Sequence, residues 1–439
     1  MTGQTQGIGW FAIVRLGTVQ AAIGAMVMLA TSLLNRIMVV EYAIAAAVPA
    51  GLVAWHYAVQ MCRPLFGHRS DQSARRSPWI IFGMGILAFG TLLAVDSAIF
   101  MSAGGIAPFL LAIVGFTLIG VGVGMSGTAL LALLASRVAP ERKPAAAAIS
   151  WTMMVAGIVI AAATTGQYLE DYSEARLAII CSLVALFSFL AAIVALAGLG
   201  AGSTPVSRTM EPAGQPSFTD VFREIRSDAQ AWRFTLFVFI SMLAYSMQDL
   251  ILEPFAGIIF AMTPGASTKL ASVQHGGVLA GMLLTGAGGT FYAKRFGQNV
   301  KLWIILGCFA SALMLCGMAA AAHIGEGWPI RANVFALGLA NGVFAVAAVG
   351  AMLGLASEGK AAGEGARMGV WGAAQAIAFG TGGLVGALLV DQLRRSGGAD
   401  GMAFGTVFAL EAAMFVIAAL VAVGTRLTKS SGIRRTVEA

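Results

Sequence analysis

Charged side chains are scarce in this chain: Asp, Glu, Lys and Arg make up 11% of its 439 residues, against about a quarter in soluble domains. That scarcity excludes an ordinary water-facing globular surface. Cysteine is nearly absent as well. Cys62, Cys181, Cys308 and Cys316 all lie within or at the ends of apolar runs, where a thiol serves as a small apolar residue, so neither a disulfide nor a metal site is expected. No Ser-His-Asp grouping and no metal-ligand spacing is present, which argues against an enzyme. The net charge of +7 comes without a basic and aromatic motif, so nucleic acid is not an expected partner. The run Gly120-Val121-Gly122-Val123-Gly124 follows no strand and is no nucleotide-binding loop. Met1 to Trp10 lacks the basic region and cleavage site of a signal peptide, so the first apolar run is expected to stay in the mature protein.

What the chain has instead is hydrocarbon. Apolar residues make up 58% of it and mean hydropathy is +0.84, so its solvent is lipid. Runs of roughly 17 to 25 residues, the length of a membrane-spanning helix, number twelve. They are Ile13 to Leu34, Tyr42 to Cys62, Trp79 to Val95, Ala107 to Leu134, Ala147 to Tyr168 and Leu177 to Leu199, then Phe234 to Phe260, Gly276 to Tyr292, Leu302 to Ala322, Asn333 to Ala356, Gly369 to Val390 and Met402 to Gly424. The eighth is short and glycine-rich. An even count puts both termini on one side. Placing the termini inside leaves only Arg36, Arg176, Lys269, Arg331, Arg394 and Arg395 outside, of 27 Lys and Arg; both termini are therefore expected to be cytoplasmic.

The longest gap between spans divides them six and six, giving an N-terminal half over 1–199, a cytoplasmic linker over 200–233, and a C-terminal half with a cytoplasmic tail over 234–439. In the linker Phe218, Phe222, Ile225, Ala229 and Trp232 recur at helical spacing, which predicts an interfacial amphipathic helix, with Ser217 and Asp220 spaced as a capping box. Polar clusters end the first and seventh spans, Asn35-Arg36 with Glu41 against Gln248-Asp249 with Glu253, as a duplicated chain would have them. Parallel six-span halves around a central site are the architecture of the major facilitator superfamily. The loop after the second span resembles that superfamily's signature: Gly67, then Asp71, then Arg75-Arg76. Such a loop latches the cytoplasmic side, its acid held by basic groups or a helix N-terminus. Gln72 and Ala74 depart from the pattern, and Ala293 stands where the second half would carry the acid.

Longer matches are more specific. Val14-Arg15-Leu16-Gly17-Thr18-Val19-Gln20, Leu34-Asn35-Arg36-Ile37-Met38-Val39-Val40-Glu41, His56-Tyr57-Ala58-Val59-Gln60, Arg75-Arg76-Ser77-Pro78-Trp79-Ile80, Met247 to Phe255 and Val407-Phe408-Ala409-Leu410-Glu411-Ala412 resemble the PucC/LhaA family, the bacteriochlorophyll-delivery branch of the superfamily in phototrophic bacteria. The resemblance implies an all-α integral membrane protein of the inner (intracytoplasmic) membrane. It also implies a role in assembling light-harvesting antenna complexes by supplying bacteriochlorophyll to antenna polypeptides. Chlorophyll synthase and the membrane-insertion machinery are further expected partners, besides membrane lipids. Two other classes stay open: a proton-coupled transporter of a small solute, and a ligand-free scaffold that recruits pigment-synthesis and insertion partners.

The site candidates are polar residues inside spans, where they are costly and functional by default: Gln20, Asn35, Arg36, His56, Gln248, Asp249, Glu253 and Glu411. His56, about 21 Å into the second span at 1.5 Å per residue, is the best axial ligand for a pigment magnesium; the alternative is a histidine hydrogen-bonded to a neighbouring helix. Asp249 and Glu253 share one helical face and form either a site for pigment carbonyls or a proton, or a structural ion pair with Arg36. Glu411 sits near mid-membrane in the last span, expected at the periphery of the fold. It needs a cover: a pigment, a partner helix, or another helix of this chain.

Overall fold

The computed structural model describes residues 8–63, 66, 70, 73, 75–102, 105–138, 143–199, 223, 225–296, 300–357 and 364–425. They form twelve long helical segments: α1 (Trp10–Glu41), α2 (Ala47–Val59, ending in the 3-10 turn Gln60–Cys62), α3 (Ser77–Met101), α4 (Ala107–Arg137), α5 (Lys143–Tyr168), α6 (Glu174–Leu196), α7 (Ala229–Ile259), α8 (Pro264–Phe296), α9 (Val300–Ile324), α10 (Ile330–Ser357), α11 (Glu364–Arg395) and α12 (Asp400–Val423). Helices are what lipid demands, because every backbone polar group must be satisfied within its own segment. Ten of the twelve are long and apolar enough to cross a bilayer; the exceptions are α2, which is short, and α8, which is diluted by glycine and polar residues. The chain is a multi-pass membrane protein.

Of the expected linker helix, Ser217, Phe218, Asp220 and Phe222 lie outside the described residues, as do Gly67 and Asp71 of the latch motif. Ala229 and Trp232 belong to α7, whose start is capped by Asp228 accepting from the N–H of Gln230 (2.9 Å) and Ala231 (3.3 Å). Arg76 donates to the Ala132 carbonyl and the Ser136 hydroxyl of α4, both at 2.7 Å.

Packing repeats every six helices. The seams α1–α5, α3–α4, α2–α4, α3–α6 and α1–α6 of the first half recur as α7–α11, α9–α10, α8–α10, α9–α12 and α7–α12 in the second. Between halves α2 packs on α11 as α8 packs on α5. Each half has its own apolar core, one around Ile23, Leu33, Leu87 and Phe116, the other around Phe237, Phe255, Phe344 and Phe408.

The turns after α1 and α7 repeat as well. The Ile44 N–H bonds the Met38 carbonyl at 2.9 Å and the Met262 N–H bonds the Ala256 carbonyl at 3.2 Å, each bond reaching back six residues to close the helix end. Each turn puts an alanine in the left-handed region, Ala43 at φ 50° and Ala261 at φ 51°, where a Cβ is penalised. Ala43→Gly and Ala261→Gly should each stabilise the fold by about 0.5–1 kcal/mol, seen as a higher melting temperature in detergent. A lower one would show that the turn is not under strain.

At the end remote from the termini the halves meet closely. A methyl on Gly166 of α5 would lie 2.8 Å from the Gly265 carbonyl and the Lys269 amide nitrogen of α8, a backbone approach that only small residues permit. Gly166→Val should pry this end open, raising the labelling rate of a cysteine placed in the seam; an unchanged rate would mean the seam is not what closes it.

Candidate functional site

Two features of local sequence build a polar seam between α1 and α7. In α7, Pro254 has no N–H to offer the Leu250 carbonyl, which an unbroken helix would have used. The Asn35 amide of α1 donates to that carbonyl at 2.6 Å. In α1 the chain widens into π-helical turns over Leu29–Leu33 and Ile37–Glu41, flanking Leu34–Arg36; such wide turns re-aim side chains. Ser32 donates to Glu253, whose other oxygen accepts from Thr268 at 3.2 Å and Ser267 at 3.4 Å, both on α8. The pair Asn35–Leu250 and the pair Glu253–Ser32 are reciprocal. One offset along the chain separates Asn35 from Glu253, Ser32 from Leu250 and Ile44 from Met262. The duplication thus equates Asn35 with Glu253, not with Gln248-Asp249.

Arg36 is 1% exposed. Its ion-pair partner is Glu41 on its own helix, and its other terminal nitrogen donates to the Met262 carbonyl at 2.6 Å. The expected ion pair of Arg36 with Asp249 or Glu253 is therefore corrected. Arg36 lies within Coulombic reach of Glu253, but the π-helical turns bring Glu41 against its guanidinium, while hydroxyls satisfy Glu253. Three more contacts close the same end. Asp391 of α11 accepts from the Ala46 and Ala47 N–H groups at the start of α2, at 3.1 and 2.8 Å, a carboxylate on a helix N-terminus. Lys269 pairs with Glu170, and the Ser272 hydroxyl donates to the Val159 carbonyl at 3.2 Å. Nearby, the Tyr42 hydroxyl is 3.1 Å from that of Tyr172 and 3.2 Å from Glu174; burial, then these neighbours, raise it well above the ordinary phenol range.

On the side of this seam toward the termini, the facing surfaces of the halves carry partly exposed aromatic and polar groups. Tyr57 of α2 meets Phe379 of α11 with ring centroids 6.2 Å apart, and Tyr245 of α7 meets Phe379 at 5.6 Å. Asp249, one helical turn from Tyr245, lies within Coulombic reach of both tyrosines. It is partly exposed, with Oδ1 buried and unpartnered among the described residues. Gln20 of α1 touches the Met154 sulfur at 3.3 Å and leaves its Oε1 unpartnered among the described residues. His56 is 1% exposed and lies against Tyr57, with ring centroids 4.2 Å apart and the planes tilted by 51°. Its Nδ1 bonds the Val53 carbonyl at 2.7 Å, so Nδ1 carries the proton and Nε2 keeps a lone pair, without a partner among the described residues. That tautomer suits a metal ligand, but the imidazole is enclosed in the N-terminal half. Gln248 and Glu411 are buried within the C-terminal half, at 1% and 0% exposure. Helices of the chain itself cover Glu411.

Against this geometry, the PUCC protein family model matches residues 33–430. The chain belongs to the PucC family. A Rhodobacter capsulatus protein named bacteriochlorophyll synthase 44.5 kDa chain is 44% identical over 417 residues, 95% of this chain and 96% of that one. Protein PucC of the same species is 30% identical over 437 residues, 94% of this chain and 91% of its own. Among solved structures, the peptide transporter POT with sulfate superposes at a TM-score of 0.68 with 14% identity, covering 97% of this chain and 98% of that one. A mutant of the nucleoside transporter NupG gives 0.66 with 14% identity, covering 94% and 98%. These structural likenesses show the fold: two six-helix halves in the major facilitator arrangement.

The PucC-family residues singled out from sequence thus fall in three places. Asn35, Arg36 and Glu253 sit in the closed seam; Asp249 and Gln20 are partly exposed, Asp249 within reach of Tyr57 of the other half and Gln20 against Met154 of its own; and His56, Gln248 and Glu411 are enclosed within their halves. Reading the sequence alone passes over Ser32, Asp391, Tyr57, Tyr245, Ser267, Thr268 and Phe379. Tyr57 stands next to His56 in one of the matched motifs, and Pro254, four residues after Leu250, was a signal that the Leu250 carbonyl needed a donor.

Proposed function

We propose that this chain holds bacteriochlorophyll in the cleft between its halves and hands it to light-harvesting antenna polypeptides, without catalysing a step of pigment synthesis. The observation that carries the reading is family membership over 33–430, with a 44%-identical relative whose name refers to bacteriochlorophyll synthase. The geometry supports it. Tyr57, Tyr245 and Phe379 offer aromatic faces to a flat apolar macrocycle, and Asp249 offers an oxygen to a carbonyl-rich rim or to magnesium, a cation that prefers oxygen donors. In this reading His56, whose Nε2 is buried and unpartnered among the described residues, is a reserve axial ligand. The closed end faces away from the cytoplasm, and the membrane is the bacterial inner (intracytoplasmic) one, with both termini cytoplasmic.

The test is purification in mild detergent from a pigmented host. Near-infrared absorbance should co-purify in proportion to protein, and deletion of the gene should lower antenna content. A colourless protein from cells with unaffected antenna would overturn the proposal. The transporter-like neighbours favour one other reading, a proton-coupled carrier of a small solute. It requires substrate-dependent proton uptake in proteoliposomes, lost in Asp249→Asn.

A further inference from the structure

The C-terminal half encloses polar groups that belong neither to the cleft nor to the closed seam, and helix geometry sets them on one level. Phe255 of α7 touches Phe404 and Phe408 of α12, with ring centroids 5.5 and 5.0 Å apart. The two helices run antiparallel. Two turns back from Phe255 on the same face is Gln248, and the matching step along α12 reaches Glu411 and Phe415. Phe344 of α10 meets Phe415 at 5.3 Å; α10 runs parallel to α12, so Asn341, one turn before Phe344, stands level with Glu411. Ser311 of α9 donates to the Asn341 oxygen at 2.8 Å.

At this level the amide of Gln248, the Nδ2 of Asn341 and both oxygens of Glu411 are buried without a hydrogen-bond partner among the described residues. Burying an ionised carboxylate with neither donor nor counter-ion is prohibitive, and such a group resolves the conflict by taking a proton. Among the described residues no cation is placed to substitute for it. On α7 the ionisable group nearest this level is Asp249, next in sequence to Gln248 and another acid, whose charge acts on Glu411 through space, with Glu253 a turn further and satisfied by hydroxyls. On α9, Lys301 is at one end, bonded to the Val423 carbonyl, and His323 is at the other, beside Gly405, about 9 Å along the helix from Glu411. On α11, Asp391 caps α2. Arg394 is paired with Asp400 of α12 itself, and Arg331 of α10 is in the first turn of that helix.

We propose that Glu411 is a proton-binding site, a neutral carboxylic acid standing level with the unpartnered Gln248 amide and Asn341 Nδ2 and coupled to Asp249, the residue after Gln248 on α7. A charge on Asp249 and a charge on Glu411 then exclude one another. A cation or hydrogen-bond donor that settles on Asp249 relieves the repulsion that helps hold the proton on Glu411. The cleft thereby senses its occupant through a group the occupant never touches. This rests on packing within the C-terminal half and not on the identity of the ligand.

Infrared difference spectroscopy of the full-length protein, in light and heavy water without added ligand, reads this directly. A protonated-carboxyl stretch that shifts on deuteration should be present in the wild type and absent in Glu411→Gln, which keeps the side-chain shape. In Asp249→Asn the band should persist but be lost at lower pH, because the repelling neighbour is gone. If Glu411→Gln does not fold, the Asp249→Asn titration alone decides. A wild-type band untouched by Glu411→Gln, or a titration untouched by Asp249→Asn, would overturn the proposal.

Discussion

Glu41→Ala should lower the unfolding free energy by about 3 kcal/mol or more, the usual penalty for stranding a buried charge. Arg36 is 1% exposed and Glu41 is its ion-pair partner. Without that partner the guanidinium keeps only the Met262 carbonyl as a hydrogen-bond acceptor among the described residues, and Glu253 reaches it through space alone. The effect is on the charge and not on packing, so the double variant Arg36→Met with Glu41→Ala should recover most of the loss. Thermal or detergent-titrated unfolding of the wild type, the two single variants and the double variant measures it. A double variant as unstable as Glu41→Ala would place the loss in α1 packing.

Glu253→Ala should cost roughly 2–4 kcal/mol and weaken the closure between the halves. It removes the acceptor for Ser32 and Thr268 at once, while Ser267 keeps the Pro264 carbonyl at 3.1 Å, and each stranded buried hydroxyl costs about 1 kcal/mol or more. Since Ser32 belongs to the other half, the variant should also raise cysteine labelling on the α1–α7 seam. Glu253→Gln, which keeps an acceptor oxygen, should lose far less. Equal losses in the two variants would mean that charge, not hydrogen bonding, holds the seam.

Much of the fold was legible because lipid leaves few options. An apolar run of the right length becomes a helix, and an even number of them brings the termini together. The eighth span shows where such reading fails. The sequence starts it at Gly276, because Ser267, Thr268, Lys269, Gln274 and His275 look like a loop, yet α8 begins at Pro264. Ser267, Thr268 and Gln274 are buried, and the first two serve Glu253. The same blindness put Asp391 just past the eleventh span, where it caps a helix of the opposite half. Glu411 was conspicuous in the sequence, but its direction was not. A helix of the last span shows apolar residues all round, so only the stacking of Phe404, Phe408 and Phe415 on α7 and α10 tells which face turns inward. The charge partner of Arg36 was misread for a related reason: a regular helix does not predict the π-helical turns that bring Glu41 to it.

The most direct test of pigment binding between the halves is pigment bound per chain, read from the near-infrared spectrum of the protein purified from a pigmented host, in the wild type and in Tyr57→Ala, Tyr245→Ala and Asp249→Asn. The cleft reading predicts a stoichiometric pigment in the wild type and a several-fold loss in each variant, with folding by gel filtration unchanged. Wild-type pigment retained in full by all three variants would contradict it, because the pigment would then sit somewhere other than between the halves.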